Sequence, residues 1–524
     1  DRWTVRADKL AALKVPPTLT ALLQARLDGL PRAERDVLQR AAVVGRIFWD
    51  DAVATLLDVD DAQSDDDDPA TERPIDEAPR LAGDPAALHT ILDSLTRRET
   101  ILRRERPVFA GTVEFAFRHN LLREVAYETV LIRHRKQYHA RVAHWLELNS
   151  GARLAEYLGL IAEHYSLAGM NSHAAVYLEH SGDATQQNGA YQSARAAFER
   201  ALALRQDDGS EATSGLRLKL GAVCWNLGDF PAAERSLFMA RDIARRAGDT
   251  HTQASALYWL SRVAISRGDY AHARMLQSYG LPLARAADPE TLAHMLYGVA
   301  DVAWKVGDME TLQTYITEAL SLARVIGNTT LEMLALNRLG TMAYLHGEPD
   351  TARDYYETCL ELARSTVNLE REATALMNLG ALAHREGDSR GGMEHYHAAL
   401  AHYRELGRSE QVTLALGNLA EAGLEQGDFD AVRRYLREGM ALAWQLGLLP
   451  RATVLLFVHA RLLHATGKPE QAAAILRLIR THPATENQTQ PQIDGLLAAW
   501  GCTIDGETAD LDAIVAEMLD EARA

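Results

Sequence analysis

Cysteines, aromatic residues and long apolar runs are all scarce in this 524-residue chain. The three cysteines, Cys224, Cys359 and Cys502, are odd in number and far apart, with no CxxC or Cys/His spacing. That excludes a disulfide framework and a cysteine-based metal site, and it suits a reducing, cytoplasmic setting. The apolar stretch from Val454 to Val458 is soon broken by His459 and Arg461, so no segment is long enough to span a bilayer. Asp1 to Arg6 open no apolar run and make no signal peptide. The chain starts mid-pattern and without methionine, which is the expectation for a piece of a longer protein.

Catalytic motifs are missing too. There is no GxxxxGK[ST] phosphate loop, GxSxG, HExxH or GxGxxG. The Gly467-Lys468 pair is followed by Pro469, which the phosphate loop cannot accommodate. The expectation is a chain that is not an enzyme and that holds no cofactor and no metal. Histidines gather at His134, His139 and His144 and again at His395, His397 and His402. Steps of five and two residues spread them around a helix instead of placing them on one face, so they read as packed or solvated helix residues.

Alanine and leucine dominate what is there, and both favour helix. Net charge is -17, and such a surface repels phosphate backbones, arguing against nucleic-acid binding by the whole chain. A glycine recurs at Gly228, Gly268, Gly307, Gly347, Gly387, Gly427 and Gly467, in steps of 40 or 39 residues. In six of these seven places an acidic residue follows: Asp229, Asp269, Asp308, Glu348, Asp388 and Asp428. Glycine ends a helix in the left-handed conformation, and the acidic residue can cap the next helix. Second turns fall halfway between, at Gly248-Asp249, Ala287-Asp288-Pro289, Gly327-Asn328, Gly407-Arg408 and Gly447. Each unit is therefore a pair of antiparallel helices, each of roughly 16–18 residues. Seven residues before the turn glycine stand Gly221, Ser261, Ala300, Gly340, Gly380, Ala420 and Ala460, small enough for close helix approach.

These offsets resemble the tetratricopeptide repeat. Its Leu-Gly pair matches Leu220-Gly221, Leu339-Gly340 and Leu379-Gly380, and its turn matches Gly228-Asp229-Phe230-Pro231-Ala232-Ala233. The long period is similar to that of the maltose-regulon activator and related signalling ATPases. The expected fold is all-α, a tetratricopeptide-type helical solenoid of about 40-residue repeats. Seven repeats are expected over 211–481, with linking helices and degenerate repeats over 136–210 and closing helices over 482–524.

The first 135 residues differ in pattern. Residues 18–58 read as helices with an apolar period near 3.6, and an acidic, proline-bearing insertion over 58–80 cannot bury a core. A helix from Leu88 to Glu99 is followed by strand-like runs, Ile101 to Val108 and Thr112 to Phe117, around Ala110-Gly111. Helices followed by a hairpin describe a winged-helix-like α+β unit. The segments from Pro16 to Pro31, from Arg40 to Phe48 and from Phe117 to Glu128 resemble those between the ATPase core and the repeats of bacterial STAND-type signalling ATPases. The nucleotide-binding domain of that family is missing from this sequence.

The resemblance implies a regulatory, ligand-sensing arm whose partners are the ATPase domain of the same full-length protein and a protein or peptide held in the concave groove. In tetratricopeptide solenoids the first helix of each pair lines that groove, at positions corresponding to 10, 6, 3 and 2 residues before the turn glycine. The candidate groove residues are Tyr258, Arg262, Tyr297, Asp301, Trp304 and Lys305, then Asn337, Thr341, Tyr344, His384 and Arg385. Asn378 and Asn418 fall one residue off that column, where Asn serves helix packing. Two other readings stand beside this one: a stand-alone scaffold, and a transcription regulator binding DNA through the arginine-rich winged-helix-like unit. The arginines concerned are Arg97, Arg98, Arg103, Arg104, Arg106, Arg118, Arg123, Arg133 and Arg135, with Lys136.

Overall fold

The computed structural model describes residues 17–57, 85–105, 108–205, 210–482, 485 and 490–520. The chain divides into two compact units, Asp1–Arg267 and Gly268–Ala524. The insertion expected over 58–80 lies outside the described residues.

The N-terminal unit begins with helices α1 (Pro17–Asp28) and α2 (Arg32–Val44), strand β1 (Ile47–Trp49), and helices α3 (Asp50–Leu57) and α4 (Pro85–Arg97). Strands β2 (Ile101–Arg103) and β3 (Glu114–Phe117) follow, then α5 (Asn120–Glu128). The sheet has three antiparallel strands in the order β1-β3-β2, with Phe48 opposite Phe115 and Ile101 opposite Phe117. This small three-stranded sheet among helices fits the small α+β unit expected ahead of the repeats. Two local expectations fail here. Residues 47–49 form a strand within a segment whose apolar period reads as helix, because pairing with β3 decides their conformation. The run from Ile101 keeps its strand only to Arg103 and that from Thr112 starts pairing at Glu114, since Phe109 turns inward onto Trp49, Trp145 and Tyr157.

Paired helices then take over: α6 (Ile132–Ser150) with α7 (Leu154–Ala168), α8 (Asn171–Gln187) with α9 (Tyr191–Leu204), and α10 (Glu211–Asn226) with α11 (Phe230–Ala247), before α12 (Thr250–Ser266). One core runs without a break from Leu23 through the sheet to Tyr165 and Ala174, so the α+β part and the first paired helices are a single packed body.

The C-terminal unit continues with α13 (Tyr270–Ala286), α14 (Pro289–Val306), α15 (Met309–Ile326), α16 (Thr329–His346) and α17 (Pro349–Ser365). Next come α18 (Leu369–Arg385), α19 (Ser389–Glu405), α20 (Ser409–Gln426), α21 (Phe429–Gln445), α22 (Leu449–Ala465) and α23 (Pro469–Thr481). Helices α24 (Gln490–Ala499) and α25 (Leu511–Asp520) pack on α23 and α21. Turn chemistry follows the sequence closely. Asp269, Asp308, Asp388 and Asp428 each accept a hydrogen bond from the backbone N–H three residues on, at 2.9–3.2 Å. The glycine before each is left-handed. Inside the pairs, Gly340 and Gly380 lie against the rings of Tyr356 and Tyr396 on the second helix. A Cβ on either glycine would stand 2.5 or 2.7 Å from ring carbons. In the N-terminal unit Gly182 receives Phe198 in the same way, with a Cβ distance of 2.3 Å, so α8 and α9 obey the rule of the later pairs.

Candidate partner-binding face of the first helices

Within the C-terminal unit the first helices of successive pairs, α14, α16, α18, α20 and α22, touch one another. The second helices make their contacts chiefly with first helices. The stack is therefore tighter on the first-helix side, and the side chains there form one continuous face. Apolar positions on these helices turn into the core, leaving a stripe of half-exposed polar and aromatic residues.

Most of the candidate residues lie on that stripe. Trp304 and Tyr344 are half-buried against the core, and Lys305 and Arg385 are exposed. The guanidinium of Arg338 lies 5.0 Å from the centre of the Trp304 ring and 2.8 Å from Asp301 Oδ1. Arg385 lies 4.6 Å over the Tyr344 ring and donates from Nη1 to the Tyr344 carbonyl at 2.6 Å. Asn378 Nδ2 donates to Asn337 Oδ1. His384 Nε2 stands 3.4 Å from Glu425, and the Tyr356 hydroxyl donates to Thr341 Oγ1 at 3.3 Å. Two candidates behave differently: Tyr297 is buried with Leu296 and Ala300 and contributes to the core, and Asp301 is buried beneath Arg338.

In the N-terminal unit Tyr258 and Arg262 belong to another cluster. Trp225 and Trp259 have ring centroids 5.5 Å apart, Tyr258 is 5.4 Å from Trp259, and Arg262 lies 4.7 Å over Trp225. Trp225 Nε1 donates to Ser266 Oγ at 3.1 Å.

Several residues of these faces are not among the candidates. Trp225 stands three residues before Gly228, so the spacing rule itself includes it. Arg338, Asn378 and Asn418 occupy a position nine before their glycines, yet all are half-exposed. A helix advances 100° per residue, so positions nine and ten before the turn share the border of the face. Asn378 therefore serves the face through its bond to Asn337 instead of only packing helices. Glu421 and Arg461, joined at 2.6 Å, extend the stripe toward α22. A cavity of about 410 Å³ opens elsewhere, between α2, α3 and α4, lined by Val37, Leu88, Asp50, Asp51 and His89 among others. No sequence motif marks it.

The arginines of the winged-helix-like part are largely engaged inside it. Arg98 pairs with Glu34 at 3.1 Å, Arg104 with Glu114 at 2.8 Å and Arg118 with Glu99 at 2.6 Å. Arg123 and Arg135 donate to the carbonyls of Ala42 and Val130. Arg106 lies outside the described residues. No helix among the described residues is long and apolar enough to cross a membrane.

Two tetratricopeptide repeat profiles match the sequence, one over residues 291–365 and one over 215–237 and 453–477. The solenoid is of the tetratricopeptide type. Both profiles describe repeats, and neither describes a catalytic domain. The signal transduction ATPase with numerous domains (STAND) with a tetratricopeptide repeat sensor from Pyrococcus horikoshii is similar in fold, with a TM-score of 0.61 and 13% identity. That likeness covers 94% of this chain and 68% of that one. The apo quorum sensor NprR from B. thuringiensis shares 14% identity, over 68% of this chain and 93% of its own, with a TM-score of 0.48. A Rap protein complexed with competence and sporulation factor shares 13% identity, over 69% and 93%, with a TM-score of 0.43. No curated protein matches the chain in sequence. The tetratricopeptide profile over 291–365 spans α14 to α17, the helices that carry Asp301, Trp304, Asn337, Thr341 and Tyr344.

Proposed function

We propose that this chain is the ligand-sensing arm of a STAND-type signalling ATPase, and that its first-helix face binds a segment of another protein. The observation that carries the binding role is the face itself: Trp304 and Lys305 near the end of α14, Tyr344 near the end of α16 and Arg385 at the end of α18, aromatic among charged, where an ordinary solvated face has no need of large rings. The fold likeness to the Pyrococcus horikoshii STAND protein covers the α+β part as well as the repeats and supports the assignment to that class. The unbroken core from α1 to α8 supports a coupling role for the winged-helix-like part: a displacement of the first paired helices is passed on mechanically to the α+β part. A partner acts by binding one conformational state more tightly than the other. The ion pairs of Arg98, Arg104 and Arg118 favour a contact within the protein over DNA phosphates, which would have to break them.

The reading frame upstream of Asp1 tests the class. A GxxxxGK[ST] loop within about 300 residues, the span of one or two domains, is the expected result. A frame without it removes the ATPase and leaves a nucleotide-free scaffold. For the binding role, Thr341→Trp fills the middle of the face, and the expected result is loss of partner capture at temperatures below the variant's own melting transition, which falls because the Tyr356 hydroxyl loses its acceptor. Capture that survives Thr341→Trp places the partner elsewhere.

A further inference from the structure

Lys305, Leu345, Arg385 and Glu425 occupy one position in four successive pairs, two residues before Gly307, Gly347, Gly387 and Gly427. All four are exposed at the ends of α14, α16, α18 and α20. From this column we infer that the face reads an extended segment bearing acidic, apolar, acidic and basic side chains in that order, one for each pair. The inference rests on the binding role proposed for this face.

The other charges of the stripe cancel. Asp301 is held by Arg338 and Glu421 by Arg461, at 2.8 and 2.6 Å. Among the described residues neither Lys305 nor Arg385 has a carboxylate partner. The field along the face is therefore set by two cations and by Glu425, whose carboxylate accepts from Ser389 Oγ at 3.1 Å and stands 3.4 Å from His384 Nε2. Arg385 is already positioned by the Tyr344 ring and carbonyl, and its remaining guanidinium donors are open to a carboxylate. Leu345 is 56% exposed beside Tyr344, an apolar anchor point between the two cations. Adjacent first helices are in contact, so one step along the column is about 8–10 Å. An extended chain in the polyproline II conformation covers that in about three residues at roughly 3.1 Å each, and its three residues per turn bring every third side chain to the same face. The ligand pattern is therefore Asp/Glu-x-x-apolar-x-x-Asp/Glu-x-x-Lys/Arg. Glu425 repels an acidic residue in the last place, which sets polarity and register by exclusion.

A displayed library of random peptides, each about 12 residues, selected on the full chain tests the pattern, since such peptides span the four positions. Enrichment of acidic residues six apart around an apolar one is the expected result. Reversing both cations with Lys305→Glu and Arg385→Glu, exposed positions outside the core, should weaken the selected peptides at least about tenfold and re-select basic residues in the same places. Enriched peptides without the spacing, or with affinity indifferent to the reversal, overturn the pattern. Ala381→Trp, half-buried on the same face, separates the two levels once an unchanged melting temperature shows that it folds. Peptides lost with Ala381→Trp but indifferent to charge leave the face standing and remove the pattern. Peptides that survive Ala381→Trp remove the face itself, and a library without enrichment removes both.

Discussion

Val367 stands where Gly327 and Gly407 stand one repeat to either side and Gly447 two repeats on, and it adopts their left-handed backbone, with φ 53°. A β-branched residue is strained there, and its side chain is 80% exposed, so packing does not offset the strain. Val367→Gly should therefore stabilise the chain by about 1 kcal/mol, read as a shift of the urea midpoint. The opposite sign holds at Gly340, where any Cβ meets the Tyr356 ring. Gly340→Val should cost about 1–3 kcal/mol in the same measurement, because the ring cannot leave its place between helices without opening the core. Both positions are legible in sequence as members of a 40-residue column. Tyr297 is not: its offset places it on the groove, yet it is buried in the core of the C-terminal unit.

Among the elements, the junction of the α+β part with the first paired helices depends on a buried polar chain. The Tyr127 hydroxyl is 2.9 Å from His139 Nε2, and His139 Nδ1 is 2.9 Å from His164 Nδ1. Burial, then Arg123 and Arg135, push His139 down to about 4. Burial, then His139 and Arg123, push His164 down to about 3. Both folded values lie below the ordinary 6.5. The unfolded chain therefore binds more protons as pH falls below about 6.5, so this stability is present above that pH and is lost as pH falls toward 4. Melting temperature should drop between pH 7 and pH 5. His164→Gln, which does not titrate, should flatten the part of the slope that belongs to the N-terminal unit, followed by hydrogen exchange of α6 and α7. A drop that is unchanged in His164→Gln would assign it elsewhere, His459 being the other buried histidine lowered to about 4. The spacing of His134, His139 and His144 says only that they spread around a helix, and no spacing singles out the pair His139 and His164. Their pairing joins residues from different helices and appears only when α6 and α7 pack. Strand β1 escaped the sequence for a related reason: three residues carry no period, and only β3 supplies their partners.

Within each unit, helix pairs contact mainly their neighbours, so stability is built locally and ends need closing. In the C-terminal unit α24 and α25 bury Ile493, Leu497, Ile514, Val515 and Met518 against the last pairs. Trp500 stacks on His464 at 4.0 Å between ring centres. Leu497→Asp should strip this cover, since a charge cannot be buried there without a partner. Faster hydrogen exchange is expected in α22 and α23, with α14 to α17 unchanged; uniform loss of protection along the unit would contradict local stability.

The sequence by itself determined the repeat. A turn glycine, its capping acid and a small residue at constant offsets are local requirements of backbone and packing, and they recur wherever a pair recurs. The winged-helix-like part was legible in outline, from its helices and the glycine turn, because those too are local signals. Only the tertiary structure decided which side chains of the first helices stay open, where β1 pairs, and that Asn378 works with Asn337. Those outcomes depend on residues far apart in sequence meeting across helices and strands, and no period within one element specifies them.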